Sequence, residues 1–438
     1  MTERKNKKTF AFILLTTALF TGCSHNDSIK EPEPEQIIDP VEQVEQPEIN
    51  MELTPAELEM VNSSNEFAFN LFRQITGPET NLDTKSKIVS PLSITYALGM
   101  LNNGAAGNTR TQINEVLGFG RTGADSINAF CYKMIKTAPE LDSLTKVMIA
   151  NNIYLNSGYN LKENFVQQVN HYYDAYPQTR DFHDPQTLVE INKWASDHTG
   201  QMIDKILSEN EFDVNAVSYL LNALYFKGSW AYKFDKAETI EERFYHPGET
   251  QEVTMRPMMQ MHTAIEYAIN NDFEAVRLPY GNGSFQMTVL LPRIKEGEEP
   301  GKLPVVPTLS AWQELNIYMR PREVLLKLPR FETESNMDLV EIMQKLGMTD
   351  AFTPTADFSN FCNKPVYIGL MKQVAKINVD EEGSEASAVT VIGMYATAMP
   401  GGSNTPTYIY FNANHPFIYV ISEKNTGAIF FIGQYTGY

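Results

Sequence analysis

The chain has 438 residues, of which 42% are hydrophobic and 20% are charged, an ordinary composition for a globular protein. Its formal net charge of −19 argues against nucleic acid as a partner, because phosphate binding requires clustered Lys and Arg side chains.

The N-terminus is typical of a targeting segment. Basic residues within the first eight positions precede a mostly apolar run, 9–20, that is too short to span a bilayer. Gly22 directly before Cys23 resembles a bacterial lipobox, a signal in which the Cys becomes the lipidated first residue of the mature protein. We therefore expect residues 1–22 to be a lipoprotein signal peptide and Cys23 to be a lipid anchor. An ordinary secretory signal with an incidental Cys is the alternative.

The next segment, 23–53, is predicted to be a tether. Between residues 24 and 50 it contains eight acidic residues, one Lys and four Pro. Proline and self-repelling charge favour an extended, solvated chain that has no core to bury. An anchor followed by a spacer predicts a protein of the bacterial cell envelope, held in the outer membrane and facing either the periplasm or the exterior.

The body of the chain begins with a helix. Thr54-Pro55-Ala56-Glu57 is a capping box with proline in the first turn, which predicts a helix that ends at about Ile75. Apolar spacing predicts further helices at 93–103, 109–118, 162–173 and 188–206. Apolar or alternating runs predict strands at 147–155, 216–226, 273–279, 285–292, 324–328, 366–379, 407–411, 417–422 and 428–434.

The order of these elements predicts the fold class. Helices concentrate early and strands late, without a βαβ rhythm, so we expect an α+β fold with mainly antiparallel sheets. Neither an internal repeat nor a linker follows residue 54, and residues 54–438 are therefore predicted to be a single domain.

The sequence contains none of the common catalytic or metal motifs. It has no Gly-x-Ser-x-Gly elbow, no phosphate-cradling glycine loop, no His-Glu-x-x-His and no Cys-x-x-Cys. Beyond Cys23, the two cysteines Cys131 and Cys362 cannot form a disulfide framework. We therefore expect a protein that is not an enzyme and has neither cofactor nor metal, although a Ser-His-Asp triad assembled in space stays open.

Several separated motifs resemble the serpin family, and they occur in the family's order from about residue 60 to the C-terminus. They include Ser90-Pro91-Leu92-Ser93, residues 221–230 (Leu-Asn-Ala-Leu-Tyr-Phe-Lys-Gly-Ser-Trp), Leu278-Pro279-Tyr280, Leu328-Pro329-Arg330-Phe331, Glu381-Glu382-Gly383 and His415-Pro416-Phe417. The resemblance implies three mainly antiparallel β-sheets, eight or nine helices and an exposed reactive loop at about 383–405. It also implies a main sheet that can accept this loop as an extra strand.

The resemblance places the hinge of the reactive loop at Glu381, Glu382, Gly383, Ser384, Glu385, Ala386, Ser387, Ala388, Val389 and Thr390. Strand residues alternate between faces, so every second residue from Ser384 to Thr390 shares one face, and this set is small and uncharged. The family comparison places the set inward, where a charge would be costly. No proline lies between Pro365 and Pro400 to interrupt a ladder. These features favour an inhibitory serpin over one whose loop is an inert linker.

The spacing usual in inhibitory serpins places the reactive bond between Thr397 and Ala398. A loop one residue shorter would place it after Ala396, and Tyr395 and Met394 are alternatives. The loop has no Lys or Arg, so trypsin-like proteases lack their ion-pair partner. Small and apolar residues favour elastase-like or subtilisin-like targets, while chymotrypsin-like serine proteases and cysteine proteases stay open.

The resemblance further assigns control of sheet opening to Ser90, Ser93, Asn222, Trp230, Gln373 and His415. Gln373 departs from the family, which has a histidine ten positions before Gly383. An amide donates and accepts hydrogen bonds but does not titrate near neutrality, so we expect no histidine pH switch there. The expected function is irreversible suicide inhibition of serine endopeptidases by a monomer. A non-inhibitory binding or scaffold lipoprotein with the same fold is the alternative.

Overall fold

The structure is a computed structural model that describes residues 49–77, 84–248, 252–295, 297–384 and 408–438. In these residues the α-helices are α1 (Pro55–Thr76), α2 (Pro91–Gly104), α3 (Gly107–Val116), α4 (Ala124–Thr137), α5 (Glu163–Tyr173), α6 (Pro185–His198), α7 (Leu309–Tyr318) and α8 (Val340–Lys345). The predicted boundary at residue 22 lies outside the described residues, and it stays a prediction, as does the boundary at residue 53.

The strands of the described chain form two sheets. They are β1 (Lys87–Val89), β2 (Thr145–Asn156), β3 (Gln178–Arg180), β4 (Ser218–Ser229), β5 (Ile240–Tyr245), β6 (Val253–Ile269), β7 (Phe273–Tyr280), β8 (Phe285–Pro292), β9 (Arg320–Pro329), β10 (Phe331–Asp338), β11 (Leu370–Asp380), β12 (Gly383–Ser384), β13 (Ile409–Asn412), β14 (Phe417–Glu423) and β15 (Ile429–Tyr435). Most pairings are antiparallel, and the predicted α+β class is confirmed.

The six-stranded sheet carries the site described below. Its order is β10-β11-β12-β4-β2-β3, and β11 also pairs directly with β4. That direct pairing is parallel, whereas β10 and β2 flank the pair with antiparallel ladders. The centre of this sheet therefore contains two parallel strands that are separated at one end by the two residues of β12.

The nine-stranded sheet has the order β1-β15-β14-β8-β7-β6-β9-β13, with β5 paired to β6. The long strand β6 pairs with β5 and β9 along most of its length and with β7 at its C-terminal end. Two of the three sheets implied by the resemblance are therefore one hydrogen-bonded set, because β6 is continuous between them.

Helix α2 lies between the two sheets. All of its residues are buried, and it contacts β2 and β4 of one sheet and β15 of the other. The side chain of Ser90 caps its first turn by accepting a hydrogen bond from the Ser93 amide. The hydrophobic core is continuous around this helix, which therefore places its N-terminus against the middle of the six-stranded sheet.

One difference from the predicted elements has a local cause. Helix α6 ends at His198 instead of near residue 206, because the chain turns through positive φ at Gly200 and Gln201. The predicted α1 is confirmed with its capping box, in which Glu57 and Thr54 exchange hydrogen bonds of 2.7 and 3.3 Å. In the described part of the chain, no helix has the length and apolar character needed to cross a membrane.

Candidate functional site

The six-stranded sheet is open at one end. Strands β4 and β11 pair directly through residues 219–225 and 370–376, but beyond Lys376 they are separated by β12. Gly383 pairs with Asp380 of β11 and Ser229 of β4, and Ser384 pairs with the next residues of both strands. The first residues of the predicted hinge therefore already form a strand inside the sheet, antiparallel to both neighbours.

Ser384 points into the core, as its place in the alternating set predicts. Its side chain is fully buried, and its Oγ lies 2.6 Å from the Oη of Tyr280. Burial raises the pKa of Tyr280, so this hydroxyl stays protonated. The Tyr280 ring stacks on Trp230, with ring centres 4.4 Å apart and an angle of 12° between the planes. The hinge thus rests on an aromatic pair.

Trp230 also holds the turn that precedes Ser384. Its indole Nε1 donates to the carbonyl of Asp380 at 2.9 Å, and its backbone amide donates to the carbonyl of Glu382 at 2.9 Å. Phe234 donates to the carbonyl of Glu381 at 3.1 Å. The chain after β4 therefore satisfies three carbonyls of the turn between β11 and β12, while the amides of Glu382 and Gly383 donate to the Asp380 side chain.

The turn has no room for a side chain at Gly383. A Cβ at this position would lie 2.1 Å from the carbonyl oxygen of Gly228, and the residue has a φ of 153°. Any other residue would push the hinge away from β4. The close approach that places β12 inside the sheet thus depends on glycine.

Basic side chains and one hydroxyl bind the carboxylates of the hinge residues Glu381 and Glu382. Glu381 is 1% exposed, and its Oε1 accepts from Arg330 Nη2 at 2.5 Å and Thr239 Oγ1 at 2.6 Å. Burial would raise the pKa of Glu381, but these hydrogen bonds outweigh it, and the pKa lies below its ordinary value. Glu382 contacts Lys233 at 2.6 Å and Lys236 at 3.2 Å, and its pKa is lowered mainly by Lys233.

A buried polar cluster lies at the level where β4 and β11 are still paired. Gln373 accepts from the Ser90 amide at 3.0 Å and donates to the Ser90 carbonyl at 3.1 Å and to Asn222 Oδ1 at 2.5 Å. Asn222 in turn donates to Ser93 and, at 2.6 Å, to Asn151 Oδ1. These bonds tie both strands to the N-terminus of α2, so separating the strands requires breaking some of them.

The structure brings together most of the residues expected to control sheet opening. Ser90, Ser93, Asn222 and Gln373 form this polar cluster, while Trp230 lies beside the hinge at the open end. His415 is elsewhere: it precedes β14 in the nine-stranded sheet, where its Nε2 lies 3.0 Å from the carbonyl of Pro292, and burial lowers its pKa. Outside the described residues lie Cys23, Glu385, Ala386, Ser387, Ala388, Val389, Thr390, Met394, Tyr395, Ala396, Thr397 and Ala398.

Sequence reasoning did not assign roles to several contact residues of this site. Tyr280 and Arg330 lie within motifs that carry the family resemblance, so those motifs contained a signal. Asn151 belongs to a predicted apolar strand, where a polar residue indicates a buried partner. For Lys233 and Thr239 the sequence gives no signal, because only the fold brings them to the hinge.

Comparisons with known proteins agree with this geometry. The family model Serpin (serine protease inhibitor) matches residues 62–437. Human Serpin B3 is 30% identical over 394 residues, which cover 85% of this chain and 98% of that protein. The native crystal structure of tengpin, a thermophilic serpin, matches with a TM-score of 0.76 and 27% identity over 90% of this chain and 96% of its own. A thyroxine-binding globulin complex with thyroxine has the same fold, with a TM-score of 0.74, 23% identity and coverage of 86% and 98%. The chain belongs to the serpin family.

Proposed function

We propose that this protein is an irreversible, single-use inhibitor of serine endopeptidases rather than an enzyme. In this proposal a protease cleaves the reactive loop, and the freed hinge inserts into the six-stranded sheet before the acyl-enzyme hydrolyses. The observation that carries the proposal is the position of β12, which already pairs with both β11 and β4. The family model's description as serine protease inhibitors supports the same class of activity.

The pairing at the centre of the sheet supplies a physical reason for insertion. Beyond the end of β12, residues 219–225 of β4 and 370–376 of β11 share one parallel ladder. A strand that continued β12 between them would replace it with two antiparallel ladders. Such an exchange adds backbone hydrogen bonds and replaces the weaker geometry with the stronger one. Insertion would therefore be downhill once the strands separate.

The observed register predicts where each hinge residue would go. Ser384 pairs with Val379 and Gly228, and continuing this register by six residues would place Thr390 between Gln373 and Asn222. Ala386 and Ala388 would follow Ser384 on the inward face, where small uncharged side chains fit. The polar cluster would then receive a hydroxyl in place of the bonds that insertion breaks.

The two ends of the loop are held in different sheets. Ser384 belongs to the six-stranded sheet, while β13, beyond the loop, pairs with β9 in the nine-stranded sheet. Cleavage would release the hinge from that second attachment. About 15 inserted residues at roughly 3.3 Å each would carry an attached protease on the order of 50 Å. That displacement would distort the protease, so inhibition is a race between insertion and deacylation.

Loop composition supports the choice of target. Thr397–Ala398 is proposed as the reactive bond, with elastase-like or subtilisin-like proteases as targets, because the loop offers small and apolar residues and no Lys or Arg. The N-terminal residues support an envelope location through a lipid on Cys23. Metabolic labelling with a fatty acid, compared between the wild type and Cys23→Ala, tests that location.

The central experiment mixes the full chain with pancreatic elastase or subtilisin. The proposal expects an SDS-resistant adduct near the summed masses, and a nicked product with a higher melting temperature than the intact protein. A non-inhibitory scaffold is the competing function, and the shared fold of thyroxine-binding globulin shows that the fold does not decide between them. Cleavage with neither an adduct nor a gain in melting temperature would establish the scaffold instead.

A further inference from the structure

The outer face of the six-stranded sheet is covered by the chain between α6 and β4, residues 199–217, which we call the cover segment. Its apolar residues Ile203, Ile206 and Leu207 belong to a small core with Leu221 of β4 and Val374 of β11. The cover segment therefore packs across the two strands that must separate during loop insertion.

The cover segment is hydrogen-bonded to α6. The side chain of Asn192 in α6 accepts from the amides of Ile206 and Leu207 at 2.9 and 3.0 Å and donates to the carbonyl of Leu207 at 2.9 Å. These three bonds make the helix and the first part of the cover segment one unit. Displacing the segment from the sheet thus involves the helix as well.

Polar contacts fasten this segment to both strands. Glu211 forms an ion pair with Lys372 of β11, a side chain that is only 1% exposed. Two residues later, the backbone of Asp213 exchanges hydrogen bonds of 2.7 and 2.9 Å with the hydroxyl of Tyr219 on β4. Ser208 orients Glu211 through two further hydrogen bonds, of 2.9 and 2.7 Å. The cover segment thus bridges β11 and β4.

Insertion of a strand would pull these attachments apart. It would increase the separation of β11 and β4 from about 4.8 Å to about 9.6 Å. Glu211 and Asp213 lie so close in the chain that they span at most about 7 Å. The continued register would also place Val391 beside Lys372 on this outer face. Insertion would therefore strain these attachments, and the ion pair is the one that joins the cover segment to β11 through two long side chains.

We propose that the ion pair between Lys372 and Glu211 is a latch that limits the rate of loop insertion. The inference rests on the proposed inhibitory function and adds a contact that controls the rate of loop insertion. The latch holds β11 through the cover segment while the reactive loop is intact, and it breaks before the inserted strand passes Lys372. Partial burial would raise the pKa of Glu211, but hydrogen bonds from Lys372 and Ser208 hold it at about 2, so this carboxylate is ionised at neutral pH.

A neighbouring ion pair provides a matched control. Lys376 lies on the same strand and the same face as Lys372, and it contacts Glu332 and Glu334 of β10 at 3.0 and 3.6 Å. Strands β10 and β11 remain paired during insertion, so this ion pair does not have to break. Removing its charge changes the sheet surface without touching the proposed latch.

The test compares the wild type with Glu211→Gln, Lys372→Met, the double variant and Lys376→Met. Each full-length protein is nicked briefly with subtilisin, and the rate at which a heat-resistant form appears is measured. The limiting rate of adduct formation is measured separately. We expect Glu211→Gln and Lys372→Met each to accelerate insertion by about tenfold, which corresponds to about 1.4 kcal/mol of barrier. The double variant should be no faster than the faster single variant, and Lys376→Met should stay within about twofold of the wild type.

The outcomes separate the latch from the function. Suppose that adducts form normally but loop insertion in Glu211→Gln is no faster than in Lys376→Met. That result would overturn the latch and leave the inhibitory function intact. Equal acceleration in all variants would also overturn it, because it would indicate general loosening of the sheet. Absence of both adduct and heat-resistant form in the wild type would overturn the inhibitory function, and the latch with it.

Discussion

The hydroxyl oxygens of Ser384 and Tyr280 lie 2.6 Å apart in a fully buried contact. This contact joins the first loop residue in the sheet to a ring that stacks on Trp230. The sheet is consequently open at the hinge before any cleavage. The polar cluster around Gln373 and Asn222 lies where β4 and β11 are still paired, at the level that the proposed insertion would have to open.

Under the proposed function, replacing Ser384 with arginine should turn the protein from an inhibitor into a substrate. The site is fully buried against Tyr280, and an unpaired charge there would cost several kcal/mol. We expect Ser384→Arg to be cleaved by subtilisin with at least about tenfold less adduct per cleavage, as measured by denaturing gel electrophoresis. Ser384→Thr keeps the hydroxyl and should retain the adduct. Full adduct yield from Ser384→Arg would show that a small buried side chain at this position is not needed for inhibition.

Tyr280→Phe should destabilise the intact protein. It removes the hydroxyl that pairs with Ser384 and leaves a buried Oγ without this partner, at a cost of about 1–3 kcal/mol. Tyr96→Phe is the matched control, since the described residues offer the equally buried Tyr96 hydroxyl no hydrogen-bond partner. Denaturant unfolding should show a loss of stability for Tyr280→Phe alone. Equal losses in both variants would mean that the contact with Ser384 contributes nothing.

Gln373→His should introduce a pH dependence that the wild type lacks at this site. A neutral imidazole can replace the amide between Ser90 and Asn222, but burial disfavours its charged form and lowers its pKa. The stability it contributes is therefore present above the unfolded value of about 6.5 and is lost as pH falls. We expect the melting temperature of the intact variant to fall more steeply than that of the wild type between pH 8 and 5.5. Parallel curves would contradict this.

If the proposed function and reactive bond are right, Thr397→Arg should make the protein inhibit trypsin. Arginine would supply the ion-pair partner that the S1 pocket of trypsin requires. An SDS-resistant adduct with trypsin is expected for this variant and not for the wild type. If Ala396→Arg gives the trypsin adduct and Thr397→Arg is only cleaved, the reactive bond lies one residue earlier.

The sequence predicted elements whose signals are local. The capping box at Thr54 marks the start of α1, and the alternating strand 285–292 matches β8 residue for residue. These features depend on neighbours within a few positions, so they can be read without the fold.

Features that depend on distant partners were missed. Strand β6 pairs with β5, β9 and β7 along different stretches, so no single alternation runs through it. The hydrogen bonds from Arg330 and Thr239 to Glu381 join three segments that are far apart in the sequence. Spacing in the sequence does not predict that these three segments meet. Nor does it predict that His415 lies beside the nine-stranded sheet.

The order of strands in the nine-stranded sheet has a consequence for biosynthesis. Strands β14 and β15, which follow all the other described strands in the chain, lie between β1 and β8, and every residue of both is buried. Until they are synthesised, β1 and β8 have unpaired apolar edges that invite association between nascent chains. The nine-stranded sheet can therefore be completed only after β15 has been synthesised, and a product truncated before Phe417 is expected to aggregate.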